Sequence, residues 1–320
     1  MQANVIEFIS PRKLRLIQKN IEEPKLNEVL IRTVTSGICM REVHVFLGHL
    51  QREMPAVMGH EPVGIVEAVG EGVEGFKPGD RVTALGDFSF AEYFKTNKER
   101  VALIPEDRQD WQDWLGEPVM CAVNCLRNMQ VEPGDLVVVI GCGFMGLLLL
   151  QGLLKTPAED IIALDINEDN VNLAKKFGVV NSFNVKGLST DIILDLIKQV
   201  ANRDVDIVVE ASGTPSTVDL ATRMLRKGGK LVIFGHHIGN ETVDLNGWHL
   251  KGLSVLNIVP WFSKNIIKDF HDGIRLLKKG VFKINGLITN KTSFQDAQRA
   301  MEIAASHKVG YIKGVLTFPI

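Results

Sequence analysis

The chain has 320 residues, of which 45% are apolar and 23% charged, with a formal net charge of −2. This length can bury a full core and exceeds the usual size of one domain, while the near-neutral charge offers no basic excess for a nucleic-acid or membrane-surface partner. Four cysteines (Cys39, Cys121, Cys125, Cys142) and no apolar leader near Met1 argue against a disulfide framework, and a reducing, cytoplasmic compartment is expected.

Up to about residue 100, short alternating or β-branched runs such as EVLIRTV, VGIVEAVG and DRVTAL are separated by punctuation such as GEGVEGFKPGD. They predict a compact, mostly β module. From Asp135 the texture becomes strand and helix in alternation. DLVVVIG leads into a helix ending near Leu154, and IIALD, NEDNVNLAKKFG, DIILDLIKQVA, VDIVVEASG, STVDLATRMLRKGG and KLVIFG follow. This alternation predicts an α/β fold with a doubly wound parallel sheet. LSVLNIV, a helix over NIIKDFHDGIRLLKKG and a closing strand YIKGVLTF complete the chain. Boundaries near 120 and 260 give one module of residues 1–120 and 260–320, to which the tail returns, and a second of 121–259.

The run from Leu136 to Leu154 carries no charge and is long enough to be weighed as a membrane span. Three glycines divide it into a β-branched half, LVVVI, and a leucine half, LLLLQGLL, which read as a buried strand and a buried helix face. No membrane partner is expected.

Those glycines, Gly141, Gly143 and Gly146, form G-C-G-F-M-G between the strand and the helix. In that context the first permits a tight turn, the second lets a pyrophosphate approach, and the third allows helix and strand to pack closely. Asp165 ends the next strand, about 20 residues further on, where a carboxylate accepts ribose hydroxyls and repels a 2′-phosphate. NAD is therefore the expected cofactor. The alternative is an ordinary strand-to-helix turn with Asp165 capping the helix of NEDN, and the residue can do both.

SGICMREVHVFLGH places Cys39 beside Arg41, Glu42, His44 and His49; VMGHEPVG carries His60 and Glu61, and LGEPVMC carries Glu117. None of these spacings is a local zinc signature. The spacing alone leaves two readings open, a metal site or a buried cysteine with a turn histidine.

The order of GICMREVHVFLG, MGHEPVGIVEAVGEGVEGFKPGDRV, GEPVMCAVNCLRN, VVVIGCGFMG, IIALDINED, VVEASG, KGGKLVIFG and YIKGVLTF resembles the zinc-dependent medium-chain dehydrogenases/reductases, most closely the polyol branch of sorbitol and threonine dehydrogenases. The resemblance spans nearly the whole chain. It implies a GroES-like catalytic domain beside a Rossmann domain, and a catalytic zinc held by Cys39 and His60 with Glu61 or Glu117. It further implies that Glu42 orients the metal histidine, and that Lys313 lies near that acid and the cofactor phosphates. A homodimer or homotetramer is implied as well, with LKGLSVLNIVPWF either adding a sheet edge across a two-fold axis or closing the sheet of one subunit.

Two departures matter. Only TALGDFS separates DRV from FAEYFK, where relatives often carry a four-cysteine lobe, so one catalytic zinc and no structural zinc are expected. Cys121 and Cys125, at helical spacing, read as small core residues. Second, Arg41 stands where the family places a hydroxyl residue that takes the alcohol proton, and a guanidinium cannot accept one. His44 is left as the candidate proton relay. His49 reads as a solvated turn residue; His236 and His237, in the FGHH turn where the resemblance implies nicotinamide contacts, are weighed between polar loop and substrate roles, and Trp111 and Trp114 between covering the core and lining a cleft.

The resulting expectation is a zinc-dependent, NAD-dependent alcohol or polyol dehydrogenase acting on a small-molecule secondary alcohol or ketone, polyol, sugar-derived or anionic. A zinc-free reductase of the same fold and a non-catalytic NAD-binding protein are the alternatives.

Overall fold

The computed structural model describes residues 1–106, 110–306 and 308–320. They divide into two compact units, Met1–Met120 with Ile267–Ile320, and Cys121–Ile266. The chain begins with β1 (Gln2–Ser10), β2 (Lys13–Asn20), β3 (Glu28–Ile38), α1 (Met40–Leu47), β4 (Ala56–Val57), β5 (Glu61–Val69), β6 (Arg81–Ala84), β7 (Tyr93–Asn97), β8 (Val101–Leu103) and α2 (Gly116–Met129). It continues through β9 (Leu136–Ile140), α3 (Phe144–Leu153), β10 (Asp160–Asp165), α4 (Glu168–Phe177), β11 (Asn181–Asn184), α5 (Thr190–Ala201), β12 (Val205–Glu210), α6 (Pro215–Met224), β13 (Leu225–Ile233), α7 (Leu245–Lys251) and β14 (Ser254–Asn257). It closes with α8 (Ile266–Lys278), β15 (Ile288–Ser293), α9 (Ala297–Ala305) and β16 (Lys313–Thr317).

In the first unit β3 is the organising strand. One edge pairs with β5; the other pairs with β7 over Glu28–Arg32 and then with β16 over Thr35–Ile38. Register irregularities at Leu30/Ile31 and Thr33/Thr35 accompany this change of partner, as bulges do where a strand must bend. The resulting sheet runs β15-β16-β3-β5-β6-β8, with β7 joined to β3, and a smaller sheet runs β2-β1-β4. Alternation along β3 serves two cores. Val29 and Ile31 pack with Val66, Val82 and Phe94, whereas Ile38 packs with Phe8, Phe46, Phe90 and Leu316.

The second unit is a six-stranded sheet in the order β11-β10-β9-β12-β13-β14, parallel throughout. The uninterrupted apolar run LVVVI is its central strand β9, buried at every position, because a parallel sheet is covered on both faces. The charge-free stretch after it is α3, buried along nearly its whole length. Among the described residues no helix is long and apolar enough to cross a membrane. The sequence RKGG, which follows α6, lies in β13. Leu225 is extended (φ −67°, ψ 138°), and the pairing with β12 jumps from Leu225 to Lys230 around Gly228 at φ +70°.

Candidate functional site

Strand register in the first unit gathers residues that are far apart in sequence. Ile38 lies opposite Gly314 of β16, and Gly37 lies opposite Glu61 at the start of β5. Cys39, His60, Glu61 and Lys313 therefore meet where three strands begin or end. Gly37 has to be glycine there, because a Cβ would overlap the Glu61 carboxylate.

Cys39 is the N-cap of α1, and Glu42 Oε2 accepts its backbone N–H at 3.2 Å, one arm of a capping box. The other oxygen, Oε1, accepts from His60 Nδ1 at 2.5 Å. One buried acid thus ties the helix start to the histidine and fixes its ring. Nδ1 being committed, Nε2 is left 4.0 Å from Glu117 Oε1. Donor atoms of Cys39, Glu42 and His60 lie within 4.8 Å of one another, and so do those of His60, Glu61 and Glu117. A thiol, an imidazole oriented by a carboxylate, and further carboxylates form a donor set that fits zinc.

The electrostatics agree with that fit. Burial opposes an imidazolium at His60, yet Glu42 and Glu117 outweigh it and hold its pKa well above the ordinary histidine value. Burial likewise works against ionised Glu42, but His60 and, at longer range, Lys313 lower its pKa. Protein groups alone therefore favour a second proton on His60, in the place a metal cation takes when it binds Nε2.

Lys313 Nζ donates to Glu61 Oε1 at 2.7 Å, with both residues buried. Burial disfavours the ammonium, but Glu61 and Cys39 raise its pKa above the usual lysine value. Glu61 Oε2 is buried without a hydrogen-bond partner among the described residues. Tyr311 stands nearby, and burial pushes its phenol up to about 12, so it stays protonated.

Arg41 lies in the first turn of α1, half-buried, and His44 follows one turn later. The rings of His44 and His49 face each other with centroids 5.6 Å apart. Trp114 is buried, and Arg81 stacks 3.7 Å over the ring of Trp111. Cys121 and Cys125 are buried in α2, and burial pushes the Cys125 thiol up, which suits a packed thiol.

In the second unit the glycine turn joins β9 to α3. Gly141 adopts φ +103°, a conformation that favours glycine, and a Cβ on Gly146 would overlap the carbonyl of Gly141. A Cβ on Gly143 would meet nothing within 4 Å, so this side of the turn is open for a phosphate. Asp165 Oδ2 accepts from the Cys142 N–H at 2.6 Å, and Oδ1 accepts from the Asn167 N–H at 2.7 Å. Asn167, not Asp165, caps α4, its side chain accepting from Asp169 N–H at 2.9 Å. Asn170 Nδ2 also donates to Oδ2 at 3.4 Å, so Asp165 is locked beside the turn and its remaining acceptor capacity, on Oδ1, suits a ribose hydroxyl.

Residues 25–106 match the model of the alcohol dehydrogenase GroES-like domain, and residues 145–279 match that of the zinc-binding dehydrogenase. The chain belongs to the zinc-binding dehydrogenases. The sorbitol dehydrogenase of Bacillus subtilis is 27% identical over 96% of this chain and 95% of its own length. The D-xylulose reductase of Saccharomyces cerevisiae is 26% identical over 97% and 96%. A solved structure of an Escherichia coli oxidoreductase/dehydrogenase of unknown specificity superposes with a TM-score of 0.90 over 100% of both chains at 24% identity, a likeness of fold.

Two residues of this zinc-binding dehydrogenase escaped the sequence reading. Gly37 was visible as the glycine of SGICM, but its role depends on the register of β3 against β5. Glu210 was visible as the acid of VVEASG; its several partners come from the turn around it and from a later loop.

Proposed function

We propose that this zinc-binding dehydrogenase passes hydride between NAD(H) and a secondary alcohol or ketone, with one zinc per chain held by Cys39, His60 and Glu117. The reading is carried by the convergence of a thiol, an imidazole and carboxylates within 4.8 Å in two overlapping sets that share His60. Because Lys313 holds Glu61 Oε1 at 2.7 Å, Glu117 is assigned as the acidic ligand and Glu61 as its neighbour. Bound zinc supplies a Lewis acid that polarises the reacting oxygen, and bound NAD supplies the hydride acceptor.

The chain's own residues do the rest. Glu42 keeps the proton of His60 on Nδ1 and so keeps Nε2 available. Gly141, Gly143 and Gly146 receive the pyrophosphate, and Asp165 receives the ribose hydroxyls, which favours NAD over NADP. His44 would take up the proton that the alcohol releases. Arg41 binds substrate: its fork matches a carboxylate, a phosphate or a vicinal diol, so the substrate is a polyol, a sugar-derived alcohol or an anionic hydroxy compound. The subunits associate as a homodimer or homotetramer and work in the cytoplasm, consistent with four free cysteines.

Metal analysis with paired cofactor titrations tests the reading. One zinc per chain is expected, lost in Cys39→Ser, and NADH should bind more tightly than NADPH by a margin that Asp165→Gly narrows. Full zinc occupancy in Cys39→Ser, or equal affinities in the unmutated protein, refutes the corresponding assignment.

A further inference from the structure

Glu210 closes β12 and is fully buried. Its Oε1 accepts from Ser212 N–H at 2.8 Å, Gly213 N–H at 3.0 Å, Ser212 Oγ at 2.6 Å and Thr217 Oγ1 at 2.8 Å. This carboxylate shapes the turn after β12. That turn lies directly against the glycine turn: a Cβ on Gly141 would come within 2.8 Å of Ser212 N and 3.0 Å of Ala211 O. On its other side, a Cβ on Gly213 would come within 2.8 Å of His236 O, and one on Gly235 would lie 2.5 Å from Glu210 Oε2. The turns after β9, β12 and β13 are therefore in backbone contact at the carboxyl ends of adjacent parallel strands, the side on which such sheets receive nucleotides.

His237 spans the outermost of these turns. Its Nε2 donates to Glu210 Oε2 at 2.7 Å and its Nδ1 donates to Glu241 Oε1 at 2.8 Å. Both donations together require the imidazolium, because a neutral ring has one N–H. The charged groups facing the ring are Glu241 from the loop beyond β13 and Glu210 from β12; burial works against the cation, but these two acids outweigh it and raise the pKa.

We infer that His237 is a positioning residue for the dinucleotide: bridging Glu210 and Glu241, it clamps the 234–241 turn against the floor of the nucleotide site, and cofactor affinity depends on that clamp being closed. The inference rests on the glycine turn being the cofactor site. When the ring loses a proton, one bridge has to break. Buried Glu210 gains most from keeping its donor, so Glu241 is released and the outer half of the turn opens. The sign follows from the raised pKa: the clamp is complete below the ordinary histidine range and is lost as pH rises through the higher folded value.

The test is NADH affinity by fluorescence titration between about pH 6 and about pH 9. Wild-type Kd should weaken roughly fivefold toward the alkaline end, the low side of typical coupling because the ring is partly exposed. His237→Gln should bind weakly throughout with this pH dependence lost, and Glu241→Gln should move the midpoint to lower pH. A His237→Gln profile that matches wild type overturns the clamp. If that variant does not fold, Glu241→Gln decides, and an unchanged midpoint there overturns it. Wild-type protein that binds NADH with no pH dependence refutes the clamp alone, whereas wild-type protein that binds none refutes the cofactor site and the clamp with it.

Discussion

Arg41 is a residue whose type conflicts with its place. A guanidinium stands there in place of the family's hydroxyl residue, and under the proposed function its fork faces a carboxylate, phosphate or vicinal diol of the substrate. Arg41→Ser should therefore lower kcat/KM on such a substrate by about 1.5–3 kcal/mol of transition-state binding, while simple secondary alcohols gain. Equal improvement on every substrate would show that Arg41 only displaces a proton relay. The buried pair of Lys313 and Glu61 makes a second prediction. Lys313→Met leaves a carboxylate in the core beside its already unpartnered Oε2, and should cost about 3–5 kcal/mol in urea unfolding. Adding Glu61→Gln should recover much of that loss. Because the folded pKa of Lys313 lies above the ordinary value of about 10.4, the pair contributes fully below that value and fades only as pH rises through the folded one. In Lys313→Met the stranded Glu61 carboxylate can take up a proton, so the loss should be smaller in mildly acid than in neutral buffer, and an equal loss in both would contradict the assignment.

At the scale of elements, α1 and β14 show how far local pattern reaches. The end of α1 follows from Gly48 at φ +79°, and its start follows from Glu42 three residues beyond the N-cap, both visible in CMREVHVFLG. That Glu42 also accepts a hydrogen bond from His60 was expected from the family's pattern, because no local rule names the partner of its second oxygen. LSVLNIV was legible as a strand, but its place was not. β14 pairs in parallel with β13 and ends the sheet, and Leu245 and Leu250 of the preceding α7 are 66% and 68% exposed. An outer strand with open backbone groups, beside exposed leucines, is a surface that a second copy can cover. Light scattering should give a dimer or tetramer, and Val255→Pro, which removes a backbone donor in β14, should weaken it. A monomer at micromolar concentration would exclude association through this edge.

The whole molecule divides its chemistry between two units, each with its own core: the metal-ligand candidates lie in Met1–Met120 with Ile267–Ile320, and the glycine turn lies in Cys121–Ile266. NADH at about a hundred times its Kd should stabilise the protein by about 2.7 kcal/mol. Removing zinc with a chelator should lower the melting temperature yet leave most of that NADH-dependent increment in place. Loss of the increment on chelation would show that the two sites do not act independently. The sequence by itself determined the class of the sheet, because unbroken β-branched runs alternating with amphipathic helices have few other ways to bury their faces. It also determined the glycine turn between β9 and α3, because strand, glycines and helix are close neighbours in the chain and their conformations depend on local backbone geometry. Only the tertiary structure decided that Lys313 holds Glu61, that Gly37 makes room for that acid, and that His237 bridges Glu210 and Glu241. Each of those contacts depends on strand register or on turns brought together across the sheet, and a shift of one residue in register would turn the same side chains to the opposite face.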